Sequence, residues 1–212
     1  MKSELIQFQN ASADDLLIVC PIEKEEKTSL CESFSMIGKP FSILFLTAYS
    51  WNDDLTPYPL KSPFGHGWFK GNGKAFLKAV EEEVKKLGHN PKKAAIAGYS
   101  LAGLFALYAF LASPLFSMAA SCSGSLWYTD FLTEIRKSEK RSGYVYLSLG
   151  EKEKQAKNPC LQSVEEKTIS AQKILQDLGI EADFVLNPGN HFQDAEKRLS
   201  AGISSLVLHS RL

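Results

Sequence analysis

The chain has 212 residues, with 24 basic and 24 acidic side chains, so one domain accounts for its length and it carries no net charge. That balance leaves out the electrostatic footprint of a nucleic-acid binder or of a protein held to an anionic membrane. Four cysteines form no Cys-x-x-Cys pair and no ligand-like spacing with the four histidines, so neither a metal nor a cofactor is expected. Met1-Lys2-Ser3-Glu4-Leu5 has no apolar signal region, and no run reaches the ~18 apolar residues of a membrane span. A cytoplasmic, reducing location is the expectation.

Leu5–Gln9 alternates weakly and suits an edge strand. Leu16-Leu17-Ile18-Val19-Cys20 is continuously apolar, as a strand covered on both faces should be. Glu23 to Ile37 reads as a helix stopped by Gly38-Lys39-Pro40, and Phe41–Tyr49 as the next buried strand. Residues 50–72 then look irregular, with Pro57, Pro59, Pro63, Gly65, Gly67 and Gly71. Connections that long in a compact domain usually carry function. The helix Lys74–Leu87 follows, with Phe76, Val80, Val84 and Leu87 on one side. Lys93–Ala97 is a short strand, and Leu101–Leu111 a helix apolar all round, hence central.

Phe116–Cys122 reads as a strand, and Thr129-Asp130 opens a helix that turns Leu132 and Ile135 inward. Tyr144–Leu149 is a further strand, Ser163–Leu178 a helix ended by Gly179, and Glu181–Leu186 the last strand. Asn187-Pro188-Gly189-Asn190 turns the chain into a final helix with Ala195, Leu199, Ile203 and Leu206 inside. Strands alternating with helices predict an α/β fold: one mostly parallel sheet of about six strands, flanked by helices on both faces.

The sequence Gly98-Tyr99-Ser100-Leu101-Ala102-Gly103 sits between a strand and a helix, the context of a nucleophile elbow. So tight a turn strains the serine and requires small residues around it, which Gly98, Ala102 and Gly103 supply. Chance alone produces such a Gly-x-Ser-x-small match in roughly one chain in seven of this length. The neighbours therefore decide. Ligands of parallel sheets bind at the carboxyl ends of the strands. Ser100 follows one strand directly, Glu151 and Glu153 follow Tyr144–Leu149, and His191 follows Glu181–Leu186 after one turn. Serine, acid, histidine is the chain order of an α/β-hydrolase triad.

A serine hydroxyl is a weak nucleophile until an imidazole accepts its proton, and the acid fixes the tautomer of that imidazole. The oxyanion needs two donors. The Leu101 N–H, next to the nucleophile at a helix N-terminus, is one candidate, and Ile22, in the loop after an earlier strand, is the other. Trp51, Asp54, His66, Trp68 and Trp127 fall on the same edge and are candidates for substrate contact. His89 precedes a strand, which puts it on the opposite edge, and His209 sits in the last turn of the chain.

These residues resemble the α/β-hydrolase superfamily, in the esterase group that takes in esterase D and the enterochelin-type trilactone esterases. The resemblance runs from about Trp51 to the C-terminus. It is carried by Trp51-Asn52-Asp53-Asp54-Leu55-Thr56-Pro57, Ile96 to Leu107, Ser121-Cys122-Ser123-Gly124-Ser125-Leu126-Trp127, Leu147 to Glu153, and Gly189-Asn190-His191-Phe192. It implies Ser100 as nucleophile and His191 as base. Two positions depart from the family pattern. Ala102 stands where glycine is usual, and Glu153 where aspartate is usual, so Glu151 and a Ser–His dyad stay open beside Glu153. The N-terminal part is also shorter than in the siderophore esterases.

The expected function is a serine hydrolase acting on a small-molecule carboxylic ester, thioester or lactone through an acyl-enzyme. The alternative is a hydrolase-fold protein that binds a ligand or partner without turnover. Oligomeric state is not readable.

Overall fold

A computed structural model describes residues 1–23, 27–88, 91, 93–140 and 142–210. Its centre is a seven-stranded sheet of order β1-β3-β2-β6-β7-β8-β9. The strands are β1 (Lys2–Phe8), β2 (Leu17–Pro21), β3 (Phe41–Thr47), β6 (Ala94–Tyr99), β7 (Met118–Cys122), β8 (Tyr144–Gly150) and β9 (Glu181–Asn187). Only β1 is antiparallel, pairing with β3 from Lys2 opposite Thr47 to Phe8 opposite Phe41. This edge strand starts three residues earlier than its side-chain alternation shows, because backbone pairing to β3 carries it through Lys2, Ser3 and Glu4. It is also the strand that takes the count past the expected six.

Both faces of the sheet are covered. Alternate residues of β2 go to opposite sides, Leu17 and Val19 to one core and Ile18 and Cys20 to the other. That period of two explains why the strand reads as unbroken apolar sequence. Full burial of each such side chain contributes about 1.5–3 kcal/mol. The first core is roofed by α3 (Gly73–Lys85), α4 (Leu101–Ala112), α5 (Phe131–Lys137) and α7 (Val164–Asp177), the second by α1 (Lys27–Ser35) and α8 (Ala195–His209). Nine of the twelve residues of α4 are buried, as its all-round apolar sequence requires. On the other face α8 lies close against β7, where a methyl on Gly202 would stand 2.6 Å from Cys122 Sγ.

Residues 50–72 are less irregular than expected. They hold the one-turn helix α2 (Trp51–Asp54) and a hairpin of β4 (Leu60–Lys61) and β5 (Trp68–Phe69). Such pieces are too short for periodicity to reveal. A second one-turn helix, α6 (Pro159–Gln162), leads into α7. The N-terminal turn expected for the first helix lies partly, and His89 wholly, outside the described residues. Among the described residues no helix is long and apolar enough to cross a membrane.

Candidate active site

Ser100 joins β6 to α4 at φ 57° and ψ −120°, a left-handed position that a non-glycine residue adopts at a cost of about 1–3 kcal/mol. The turn is held by backbone bonds, Ser100 N–H to Cys122 O (3.1 Å) and Ser125 N–H to Ser100 O (3.0 Å). Its tightness explains the motif. A Cβ on Gly98 would stand 2.3 Å from the backbone of Ala102, so no side chain fits there.

The acid comes from the end of β8. A 3₁₀ turn, Glu153–Gln155, folds the Glu153 carboxylate back so that Oε1 accepts from the Gly150 N–H at 2.8 Å. Oε1 also accepts from Ser123 Oγ (2.8 Å) and from Arg198 Nη1 (3.1 Å). Oε2 is left for His191 Nδ1, at 2.8 Å. On the other side of the ring, Nε2 meets Ser100 Oγ at 3.0 Å. A carboxylate only accepts, so the proton belongs on Nδ1 and Nε2 is left to accept from the serine hydroxyl. Burial pushes the Glu153 carboxyl up, but hydrogen bonding and the charge of His191, the Gly150 N–H and the Ser123 hydroxyl together outweigh it. Its pKa is held below the ordinary glutamate value.

His191 lies on the loop after β9, and that loop is tied down. Tyr99 donates its hydroxyl to His191 O at 2.6 Å, and Asn190 Oδ1 accepts from the Phe192 N–H at 2.9 Å. Burial raises the Tyr99 phenol, which keeps its proton in place as a donor. Behind the site, burial pushes the Cys122 thiol up to about 12, so it is a neutral, inert group.

Beside Ser100 opens a cavity of about 600 Å³, well within the size of small-molecule sites. Trp51, Phe64, Trp127 and Phe192 supply aromatic walls, with Leu161 and Val164 also lining it. Phe64 stacks edge-on against Trp127 at 5.7 Å.

Several candidates from the sequence take other positions. The Ile22 N–H is spent on Leu46 O (3.0 Å), since the β2–β3 pairing runs one residue past the strand, so it is not a free oxyanion donor. Glu151 is exposed, its N–H held by Asn187 O, and the carboxylate that reaches His191 is that of Glu153. Asp54 accepts from the Tyr49 and Ser50 N–H groups at 3.0 Å each, stapling its own loop instead of facing the cavity. His66 and Trp68 are exposed on the hairpin and lie off the cavity wall, because the hairpin turns them outward. Trp51 and Trp127 do line it.

Sequence reasoning missed Tyr99, Ser123, Arg198, Phe64 and Phe192. For Arg198 a signal exists. It falls on the inner stripe of α8, between Ala195 and Leu199, where a charge is out of place unless something polar lies beneath.

A mostly parallel sheet with a strained serine between strand and helix, and an acid and a histidine after later strands, defines the α/β-hydrolase class. The family model described as Putative esterase matches residues 76–201, more than half of the chain, and the chain belongs to that family. Ester hydrolysis is the activity that membership supports. Among curated proteins none matches by sequence. Solved structures share the fold. An IroE-like serine hydrolase from Shewanella oneidensis is similar with a TM-score of 0.78 at 16% identity, over 97% of this chain and 75% of that one. The siderophore hydrolase EstA from Aspergillus nidulans gives 0.72 at 17%, over 98% and 90%. The enterobactin esterase FES from Shigella flexneri gives 0.67 at 18%, over 98% of this chain and 55% of that one.

Proposed function

We propose that this protein is a serine hydrolase that cleaves a carboxylic ester through an acyl-enzyme. The observation that carries the reading is the unbroken chain Ser100 Oγ–His191–Glu153, with both links at 3.0 Å or less and the serine on a strained elbow. His191 Nε2 takes the hydroxyl proton as Ser100 Oγ attacks the ester carbonyl carbon. Glu153 keeps the tautomer and stabilises the imidazolium. The Leu101 N–H, at the start of α4, donates to the oxyanion, where one such donor is worth about 3 kcal/mol of barrier. When the tetrahedral intermediate collapses, the imidazolium protonates the departing alcohol. Water, deprotonated by the same His191, then releases the acid and restores Ser100.

The substrate is a small-molecule ester, thioester or lactone whose apolar or aromatic portion packs between Trp51, Phe64, Trp127 and Phe192. The activities of the structural neighbours, a siderophore hydrolase and an enterobactin esterase, support esters of that kind as first substrates to try. A fluorophosphonate probe tests the reading. Wild type should label and Ser100→Ala should not. An unlabelled wild type would overturn catalysis and favour a binding role for the cavity.

A further inference from the structure

We infer that Arg198 is a positioning residue that locks the acid and the histidine loop into one unit. This rests on the hydrolase reading above. Arg198 and Glu153 are the buried charged side chains among the described residues, and they face each other at 3.1 Å. A guanidinium is expensive to bury and persists only where acceptors meet it from several sides. Here Nη1 donates to Glu153 Oε1 (3.1 Å), Ser123 Oγ (3.1 Å) and Tyr99 Oη (3.2 Å). Nη2 donates to Pro188 O (3.0 Å) and Asn190 O (2.9 Å).

Those acceptors are not scattered. Glu153 Oε1 belongs to the carboxylate whose other oxygen holds His191, and Asn190 O is the carbonyl immediately before His191. Tyr99, the third acceptor on Nη1, itself donates to His191 O. One planar fork thus fixes both ends of the acid–histidine link, which come from segments 38 residues apart in sequence. Gly150 makes room for it: a Cβ there would stand 2.9 Å from each terminal nitrogen of Arg198.

The fork is also a charge. Around the Glu153–His191 pair, Tyr99 on β6 and Cys122 on β7 are neutral at working pH, and Asp194 ahead of α8 is paired with Lys197 at 2.6 Å. Lys152 and Glu151, beside Glu153 on the same turn, are solvent-exposed. Arg198 is therefore the buried counter-charge to Glu153, at 3.1 Å.

The test measures kcat, KM and the pH dependence of kcat/KM on whichever p-nitrophenyl ester, from acetate to octanoate, the wild type turns over fastest. In Arg198→Met, kcat should fall about 10–100-fold and KM should rise by severalfold at most, since of the aromatic walls only Phe192 rides on the loop that Arg198 anchors while Trp51, Phe64 and Trp127 do not. Its acidic limb should move to higher pH by about one unit, because a positive neighbour has gone. Arg198→Lys restores the charge without the fork, so the limb should return while kcat stays about tenfold low. Equal losses in both variants with an unmoved limb would reduce Arg198 to a structural part, and wild-type kcat and limb in Arg198→Met would remove even that. Should Arg198→Met fail to fold by circular dichroism, Arg198→Lys decides: a loss in kcat that exceeds any rise in KM supports positioning, and wild-type kcat overturns it. Activity that survives in Ser100→Ala would sink the hydrolase reading itself, whatever Arg198 does. A wild type with neither turnover nor labelling overturns both.

Discussion

The reacting edge of the sheet and the wall that faces it are built on opposite plans. Glu153 and Ser123 are buried, and each polar atom of the acid is accounted for by a named donor. The wall is mixed: Trp127 and Val164 are buried, but its rim is loose by comparison. Phe64 is 63% exposed and Phe192 88%, and the hairpin tip passes through Gly65 and Gly67 at φ 123° and 139° with nothing within 4 Å of where a Cβ would be. The stem of residues 50–72 is packed into the core through Leu55 and Phe69 and hydrogen-bonded through Tyr58 Oη on Thr129 O, Tyr128 Oη on Tyr58 O and Asn158 on Pro63 O, so the looseness is confined to its tip. Geometry that must hold to a few tenths of an ångström is placed where packing enforces it. Surface that must meet a substrate is placed where it can give.

That contrast can be broken by experiment. Ser100→Ala should cost the most, about 10⁴-fold or more in kcat, read by ester turnover alongside probe labelling. Next comes the acid: Glu153→Gln should lower kcat about 10²–10⁴-fold with KM little changed, while Glu151→Gln stays within about twofold of wild type. If both glutamine variants kept wild-type rates, a Ser–His dyad would replace the triad. On the wall, Phe64→Ala and Phe192→Ala should raise KM severalfold and leave kcat within about twofold. A kcat loss there as deep as that of Glu153→Gln would mean that wall and edge are one device.

The smallest effect is on stability against acid. The pKa of Glu153 is lower in the folded protein than in the unfolded chain, so the ionised carboxylate stabilises the fold. Its contribution is complete above the unfolded value, about 4.3 for glutamate, and is lost as pH falls through the folded one. The Tm advantage of wild type over Glu153→Gln should therefore shrink below about pH 4.3. An advantage that grew on acidification would reverse the sign of the argument.

Much of the edge was legible because chain order and strand ends carry information. Ser100 follows an apolar run and His191 a mixed strand, Glu181–Asn187, and a parallel sheet brings the ends of such strands together. The choice between Glu151 and Glu153 was not legible. Both follow β8 closely, and a single 3₁₀ turn with the Glu151 N–H on Asn187 O sends one outward and the other in. Ile22 misled for a similar reason, since nothing in Pro21-Ile22-Glu23 tells how far a strand keeps pairing. Phe64 and Phe192 carry no period, sitting in loops whose course depends on tertiary contacts. Arg198 was readable as a charge on an apolar stripe, though what lay beneath it was not.

The close approach of α8 to the sheet at Gly202 has a consequence for descent. Gly202 lies one turn beyond Arg198, and Cys122 leaves no room there for even a methyl group. A mutation at 202 would shim the helix outward and carry Arg198 away from the loop that bears His191. Across a lineage the exposed rim can drift to follow new substrates. At Gly202, on the far side of the sheet, packing leaves no such latitude.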